Sequence, residues 1–294
     1  MRSSTSKILL VLFCLFIGST YGQTNTLNFI LAPQFSATDD KAVLLKQTMD
    51  VLQSRLNKFD TENKAFVRDT LGDKISVRLR TNKADGIKAV LTTPGQLSIF
   101  ETFDNALFYK TYVGPIIKAT PSFGKLLAPN IVMMPDSQLA PGACIGFALA
   151  ADTAAVNLVL NDKKVFSKNI VFGWSYKPTK EGKFELFALR GRPVLSGKFI
   201  TNAQAGTNDK LNYIYIAFDI TDKNKWAAIT SDNTGKALAI CVDGKVYSAP
   251  TVNGMIANGR CQITGTFTID EAKALADILN LDPLPVALLI TSQY

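Results

Sequence analysis

The sequence predicts an α+β fold, with a ferredoxin-like antiparallel sheet as a base and a second α+β unit built beyond it. Three observations carry this expectation. Residues 27–103 alternate between strand and helix periodicity in the order β-α-β-β-α-β. Residues 199–290 hold a tight Asp243-Gly244 hairpin signal and a Thr268–Glu271 helix start within a further run of strands. Hydrophobic residues make up 47% of the 294 and charged residues 19%, a balance that supports packed cores over disorder.

The first strand is LNFILA, from Leu27 to Ala32. Leu45, Met49, Leu52, Leu56 and Phe59 then recur at alternating steps of four and three, on one helical face behind a Thr38/Asp39 cap. KAFVRDT and KISVRLR follow as strands joined at Leu71-Gly72-Asp73. In the second, Ile75, Val77 and Leu79 face one side while Ser76, Arg78 and Arg80 face the other. A second helix runs from about Lys83 to Thr92 and stops at Thr93-Pro94-Gly95, after which GQLSIFETF supplies the last strand of the unit.

Residues 105–198 form a middle α+β segment. Its first half is rich in proline and glycine, at Gly114-Pro115, Pro121, Pro129, Pro135 and Pro141-Gly142, and reads as loop with short elements. ACIGFALA is a strand, TAAVNLVLN a helix capped by Asp152, and NIVFGWS and FELFALR two further strands. Trp174 and Tyr176 read as core or edge packing. Residues 199–294 open with the strand NYIYIAFDI and a helix capped by Thr221 that carries Trp226 and Ile229 and ends at Asn233-Thr234-Gly235. ALAICV and KVYSA flank the Asp243-Gly244 turn, the capping box at Thr268 and Glu271 starts a helix with Leu275, Ile278 and Leu279 on its apolar side, and LPVALLI is a final strand returning to the base. The expected organisation is thus a signal peptide over 1–22, the base over 23–104, the middle segment over 105–198 and the last unit over 199–294.

The absence of histidine removes Ser-His-Asp and Cys-His catalysis and histidine metal sites together. Neither GxGxxG nor GxxxxGK[ST] occurs. Acid pairs at Asp39-Asp40 and Asp270-Glu271 sit at helix starts, where they complement the helix dipole. The chain is expected to have no catalytic residues, metal or cofactor, and not to be an enzyme. Its net charge of +8 is dispersed, with no basic cluster among aromatics, so no nucleic-acid partner is expected. Arg2 and Lys7 precede the apolar run Ile8–Ile17, in the order of a secretory signal cut after Gly22. No later segment is long and apolar enough to span a bilayer. Of the cysteines beyond that cut, Cys144, Cys241 and Cys261, Cys241 reads either as a small buried side chain or as a partner of Cys261 across neighbouring strands.

The stretch NTGKALAICVDGKVYSAPTVNGMIANGRCQITGTFTIDEAKALADIL closely resembles the head subdomain of the first periplasmic domain of the SecD/SecDF protein-export family. The residues that carry the resemblance are Asn233, Gly235 and Lys236; Asp243, Gly244, Ser248, Ala249 and Pro250; and Ile263, Thr264, Gly265, Phe267, Thr268, Glu271 and Ala272. GQLSIFETFDN and KP…GKFELFALRGRP more weakly resemble the Bacteroidetes-type SecDF proteins, and VLQSRLNKFD and ISVRLR resemble the base that carries the head. The family's glycine-rich LDLxGG segment has no match around Leu27 to Pro33. The resemblance implies a stand-alone base and head, without membrane helices, in the periplasm or cell envelope of a bacterium. Its implied partners are unfolded or translocating polypeptide and the Sec export machinery. The alternative is a structural protein that kept the fold and docks to one specific partner. Val252, Met255 and Ile256, on the turn-rich loop APTVNGMIANG, are the candidate polypeptide-binding residues; they either grip an unfolded chain or fold back onto the head's own core.

Overall fold

The computed structural model describes residues 25–59, 65–70, 72–81, 87–135, 141–162, 164–196, 199–265 and 267–294; the expected signal peptide lies outside them. The base opens with β1 (Asn25–Pro33), α1 (Lys41–Phe59), β2 (Ala65–Thr70), β3 (Lys74–Thr81) and α2 (Ile87–Thr92). Antiparallel pairing sets Phe29 opposite Val77 and Leu31 opposite Ile75. Those side chains and Leu79 are buried beneath Leu45, Leu52 and Leu56 of α1 and Ile87, Val90 and Leu91 of α2. The alternation in KISVRLR is therefore the pleat of a half-buried sheet, with Arg78 and Arg80 exposed on its open face. Asp40, and not Thr38 or Asp39, caps α1: its Oδ1 accepts from the Val43 amide at 3.2 Å, while Asp39 turns back to accept from the Ser36 amide at 2.7 Å.

The fourth place in the base sheet corrects the sequence reading. Leu97–Glu101 was expected to fill it, but Leu288–Gln293 from the end of the chain pairs with β1 instead, setting Ile290 opposite Leu31. The strand order thereby becomes that of a ferredoxin-like sheet, with the closing strand supplied from the far end of the sequence. The physical reason lies in the side chains of β4 (Leu97–Glu101). Leu97 and Ile99 are buried in one core while Phe100, on the opposite face, packs against another, so the strand needs cover on both sides. Gly95, at φ +71°, turns the chain out of the base to reach that position.

The middle unit follows: α3 (Asn105–Phe108), a π-helical turn at Tyr109–Val113, α4 (Gly114–Ala119), α5 (Phe123–Leu126), β5 (Ala128–Pro129), β6 (Cys144–Leu149), α6 (Thr153–Leu160), β7 (Ile170–Trp174), β8 (Lys183–Arg190) and β9 (Leu195–Ser196). β5, β6, β8 and β7 form an antiparallel sheet, in that order, beside a cluster of Phe108, Tyr112, Phe166 and Phe172. Asp152 makes no side-chain cap on α6, contrary to expectation. The Trp174 indole N–H donates to Asn157 Oδ1 at 2.9 Å, which satisfies a buried donor as core packing requires.

The last unit holds β10 (Ile200–Asn208), β11 (Tyr213–Ile220), α7 (Lys223–Asp232), β12 (Leu238–Val242), β13 (Lys245–Ser248), β14 (Arg260–Gly265), α8 (Ile269–Leu279) and β15 (Leu288–Gln293). β12 is buried along its whole length. Leu238, Ile240 and Val242 face the core shared with Trp226, Ile263 and Leu279, while Ala239 and Cys241 face Cys144, Phe187 and Val246 of the neighbouring cluster. Cys261 lies on β14, in a different sheet, opposite Phe218. The alternative Cys241–Cys261 bridge is thus corrected: Cys144, Cys241 and Cys261 are free thiols, and burial pushes each up to about 12.

Candidate functional site

Local chemistry first fixes the head's scaffold. Asp222, and not Thr221, caps α7 by accepting from the Lys225 amide at 2.9 Å; Thr221 Oγ1 donates to the Phe199 carbonyl instead. Asn233 closes the helix, its Nδ2 donating to the Ile229 carbonyl at 2.9 Å, and Gly235 turns the chain at φ +79°. Asp243 and Gly244, at φ +50° and +76°, make the left-handed pair that a two-residue hairpin demands. The Asp243 carboxylate also reaches back to the base, accepting from the amides of Gln96 at 2.8 Å and Gly95 at 3.2 Å. Thr268 and Glu271 complete the expected capping box of α8, and Glu271 also pairs with Lys177 Nζ at 2.7 Å. Thr264 and Gly265 pair with Tyr215 and Ile214 at the end of β14.

On this scaffold the loop after Pro250 is laid down by backbone hydrogen bonds. The Gly235 amide donates to the Val252 carbonyl at 2.8 Å, and the Val252 amide donates to Lys236 at 2.9 Å. The Leu238 amide donates to Pro250 at 3.1 Å, and the Ile256 amide to Thr230 Oγ1 at 2.9 Å. Between those ties Asn253, Gly254 and Met255 form the tip. The three candidate residues therefore divide: Val252 is buried in the head core, Ile256 packs partly buried against it, and Met255 stands 64% exposed.

Behind the loop lies a groove of about 530 Å³. Its walls include Leu238, Ile240, Val252 and Ile256 on one side and Tyr215, Ala217 and Gln262 of the β11–β14 sheet on the other. Trp226 lines it too. Its ring is 3% exposed, and its buried Nε1 finds no acceptor among the described residues. Such a donor is costly to leave unmade, and most buried polar groups in folded proteins are paired. Sequence reasoning placed Trp226 only on the helix, because an orphaned N–H is a product of tertiary packing and has no signature in a sequence. Among the motif residues only Pro250 joins Val252 at this groove. Ser248 opens onto a different cleft, and Asn233, Gly235, Asp243, Gly244, Thr264, Gly265, Thr268 and Glu271 shape the turns, strand ends and caps around it. Among the described residues no group of three or more Cys, Asp or Glu is placed to hold a metal, and no helix is long and apolar enough to cross a membrane.

Comparison with known proteins matches this same part of the molecule. The SecDF P1 head subdomain family covers residues 174–286. The protein translocase subunit SecD of Syntrophobacter fumaroxidans is 37% identical over 119 residues, which is 40% of this chain and 22% of that protein. The SecD of Aquifex aeolicus is 34% identical over 143 residues, 48% of this chain and 28% of that one. This chain therefore spans about a fifth to a quarter of the length of the curated relatives it matches. A solved structure described as a membrane component SecDF that enhances protein export shares the fold over 90% of this chain and 98% of its own, at TM-score 0.53 and 21% identity. A crystal structure of SecDF in its super-membrane-facing form aligns over 92% of this chain and 30% of its own, at TM-score 0.56 and 20% identity. Residues 174–286 are thus similar to the SecDF P1 head subdomain, and the fold is one that solved SecDF structures share across nearly all of this chain's length.

Proposed function

We propose that this protein serves protein export outside the cytoplasm, in the periplasm or cell envelope of a bacterium, as a non-enzymatic holder of unfolded polypeptide. The groove beside Trp226 is the point of contact, and the Sec export machinery is the setting in which it works. One observation carries the reading: an apolar groove is lined by Leu238, Ile240, Val252, Ile256 and Trp226, and the buried indole N–H of Trp226 has no acceptor among the described residues. An extended chain supplies side chains for the surface of Leu238, Ile240, Val252 and Ile256, and a small turn of the Trp226 ring would bring its N–H to a backbone carbonyl of that chain. Recognition of main chain plus generic apolar contact suits a ligand without fixed sequence. Met255, exposed at the loop tip and unbranched, adds an adaptable surface beside the groove. The names of the relatives, a protein translocase subunit and a component that enhances export, support the same assignment.

The test is fluorescence anisotropy with a labelled, thiol-blocked, permanently unfolded model protein. Saturable binding that Trp226→Phe weakens is expected; no binding at high micromolar protein would overturn the reading. A second reading, docking to one specific partner, is favoured by the motif residues being engaged in turns and caps and not at the groove. A single stoichiometric companion recovered from envelope extract, together with no affinity for unfolded chain, would establish it instead.

A further inference from the structure

The β10-β11-β14 sheet of the head ends at β14, which pairs with β11 on one side and, among the described residues, with no strand on the other. Antiparallel pairing fixes which backbone groups lie along that open edge. The Ile220 amide donates to the Gly259 carbonyl at 2.8 Å, and Phe218 stands opposite Cys261 and Ile216 opposite Ile263. Bonded and non-bonded pairs alternate along such a ladder. Gly259, Cys261 and Ile263 therefore spend their backbone groups on β11, while Arg260, Gln262 and Thr264 turn theirs outward. Asn258 Oδ1 accepts from the Arg260 amide at 3.0 Å. The Gln262 amide meets only the Cys261 thiol among the described residues, and a thiol is a weak acceptor.

A second open edge lies on the same groove. Residues 250–252 run antiparallel to residues 236–238, bridged at Ala237 and Thr251, with the Leu238 amide donating to Pro250 and the Val252 amide to Lys236. By the same alternation Thr251 turns its N–H and C=O away from that partner, and neither has a backbone hydrogen bond among the described residues. Thr251 lines the groove of about 530 Å³ together with Arg260, Cys261 and Gln262. Successive side chains of a strand point to opposite faces, so a groove that touches three in a row meets β14 along its edge. Just past β14 the two sheets are pinned together, where Tyr247 of β13 stacks on Phe267 at 6.0 Å and 23°.

These groups fit an extended main chain. Laid along β14, it accepts from the Gln262 amide, donates to the Gln262 carbonyl and sends alternate side chains to the apolar wall of Leu238, Ile240 and Val252. A helix has spent its backbone groups internally and cannot do so. Charge adds a second selection. Among the described residues no acid lines the groove, and the exposed Arg260 at its mouth has no ion pair. Asp219, opposite Arg260 on β11, is turned to Asn202, accepting from its Nδ2 at 3.0 Å. A carboxylate on the incoming chain complements this guanidinium. We propose that the groove holds unfolded polypeptide as an added strand on the edge of β14, its main chain bonded to Gln262 and a carboxylate of the segment met by Arg260. The proposal rests on the polypeptide-holding role proposed above, and adds the conformation and charge of the segment that is held.

The experiment is fluorescence anisotropy of the full chain with a short labelled peptide that alternates valine and threonine around one aspartate. Its analogues are N-methylated at one or the other set of alternate amides, or carry asparagine for the aspartate. The parent is expected to bind, and methylation of at least one set to weaken it ~10-fold or more, the scale of two lost hydrogen bonds. Gln262→Pro removes the outward amide at a position where an edge strand tolerates proline. It should weaken the parent by a similar factor and erase the difference between parent and methylated peptide, with the thermal midpoint confirming that the variant folds. The asparagine analogue and Arg260→Gln should each weaken binding ~2- to 5-fold, and together no further. Methylation effects below about twofold for both sets would overturn the proposal, and they decide alone if Gln262→Pro does not fold. A folded Gln262→Pro that binds like wild type would overturn it too. Equal affinity for the aspartate and asparagine peptides would strike Arg260 from the site. An unfolded model protein that binds and is weakened by Trp226→Phe, while methylated and parent peptides bind alike, would keep the holding role and reject strand addition. Binding of neither would overturn both.

Discussion

The base and the head each bury one large polar side chain, and they treat it in opposite ways. In the base, Arg55 is fully buried and every arm of its guanidinium is engaged. Nε donates to the Asp282 carbonyl at 2.7 Å, Nη1 to Thr93 at 2.6 Å and Val90 at 3.1 Å, and Nη2 to Pro94 at 2.6 Å. In the head, Trp226 is just as enclosed, but its single donor has no acceptor among the described residues. The difference teaches where the molecule is finished and where it is open. The base closes its polar groups on itself and so fixes one geometry, including the loop whose Gly95 and Gln96 amides hold Asp243 of the head. The head leaves a donor unmatched in the wall of an apolar groove.

The largest expected effect tests the closed side. Arg55→Leu strands the carbonyls of Val90, Thr93, Pro94 and Asp282 in the interior. It should destabilise the protein by about 3–5 kcal/mol, the range for breaking a buried charged network, read as the urea midpoint. Burial lowers the guanidinium to about 10, with Asp243 and Asp282 opposing, so it stays charged at neutral pH and the network is ionic throughout the working range. A loss under 1 kcal/mol would mean the base is not organised around this side chain.

The next pair contrasts a closed core position with one at the groove. Ile216→Ala removes a fully buried side chain from the head core and should lower stability by about 2–5 kcal/mol through lost burial and the cavity left behind. Val252→Ala, whose neighbourhood already opens onto the groove, should lower it by only about 1–2 kcal/mol. Equal losses would show that the groove closes in solution. Trp226→Phe sharpens the contrast further. It deletes the unmatched donor and keeps most of the ring, so stability should change by less than about 1 kcal/mol while affinity for unfolded chain falls ~3- to 10-fold, the net worth of one hydrogen bond.

Much of this contrast was legible where the chemistry is local. Asp243-Gly244 announces its hairpin because only a left-handed pair makes that turn, and Thr268 with Glu271 announces a helix start because both halves of the capping box lie within one turn. The helical stripe through Leu45, Leu52 and Leu56 is legible for the same reason. Caps with several oxygen-bearing neighbours were not: Asp40 outcompetes Asp39, and Asp222 outcompetes Thr221, by one residue of register. Strand partners were legible only in part: the last strand does return to the base, as expected, but β4 leaves it. β4 and β15 are both short apolar runs, and what separates them is cover on two faces for Phe100, Leu97 and Ile99, a property of cores assembled from distant segments. The candidate site was half legible. The loop was singled out for its turn-rich, apolar composition, but Val252 and Ile256 turned inward because backbone bonds to Gly235, Lys236 and Thr230 hold them there. Trp226 could not be singled out, since it matters for the partner its indole lacks among the described residues.

The smallest effect concerns the seam between the middle unit and the head, where Glu271 serves both sides. Its carboxyl is held below the usual 4.5, first by the Lys177 ammonium and then by the Thr268 amide. The folded value thus lies below the unfolded one, so the unfolded state binds the proton more readily. The contribution to stability is present above the unfolded value and is lost as pH falls through the folded one. Both side chains are partly exposed, which keeps the effect small and sensitive to salt. Glu271→Gln preserves the helix cap, because an amide oxygen still accepts from Thr268, but removes the charge that meets Lys177. Urea unfolding of wild type and variant should therefore differ slightly at pH 7 in low salt and converge both in high salt and at pH below the folded value. A difference that persists in acid would assign the residue's role to the cap alone, and the link between middle unit and head would rest on the Tyr176 amide, which donates to the Val246 carbonyl at 2.8 Å, and on the stacking of Tyr176 against Tyr247 at 4.2 Å.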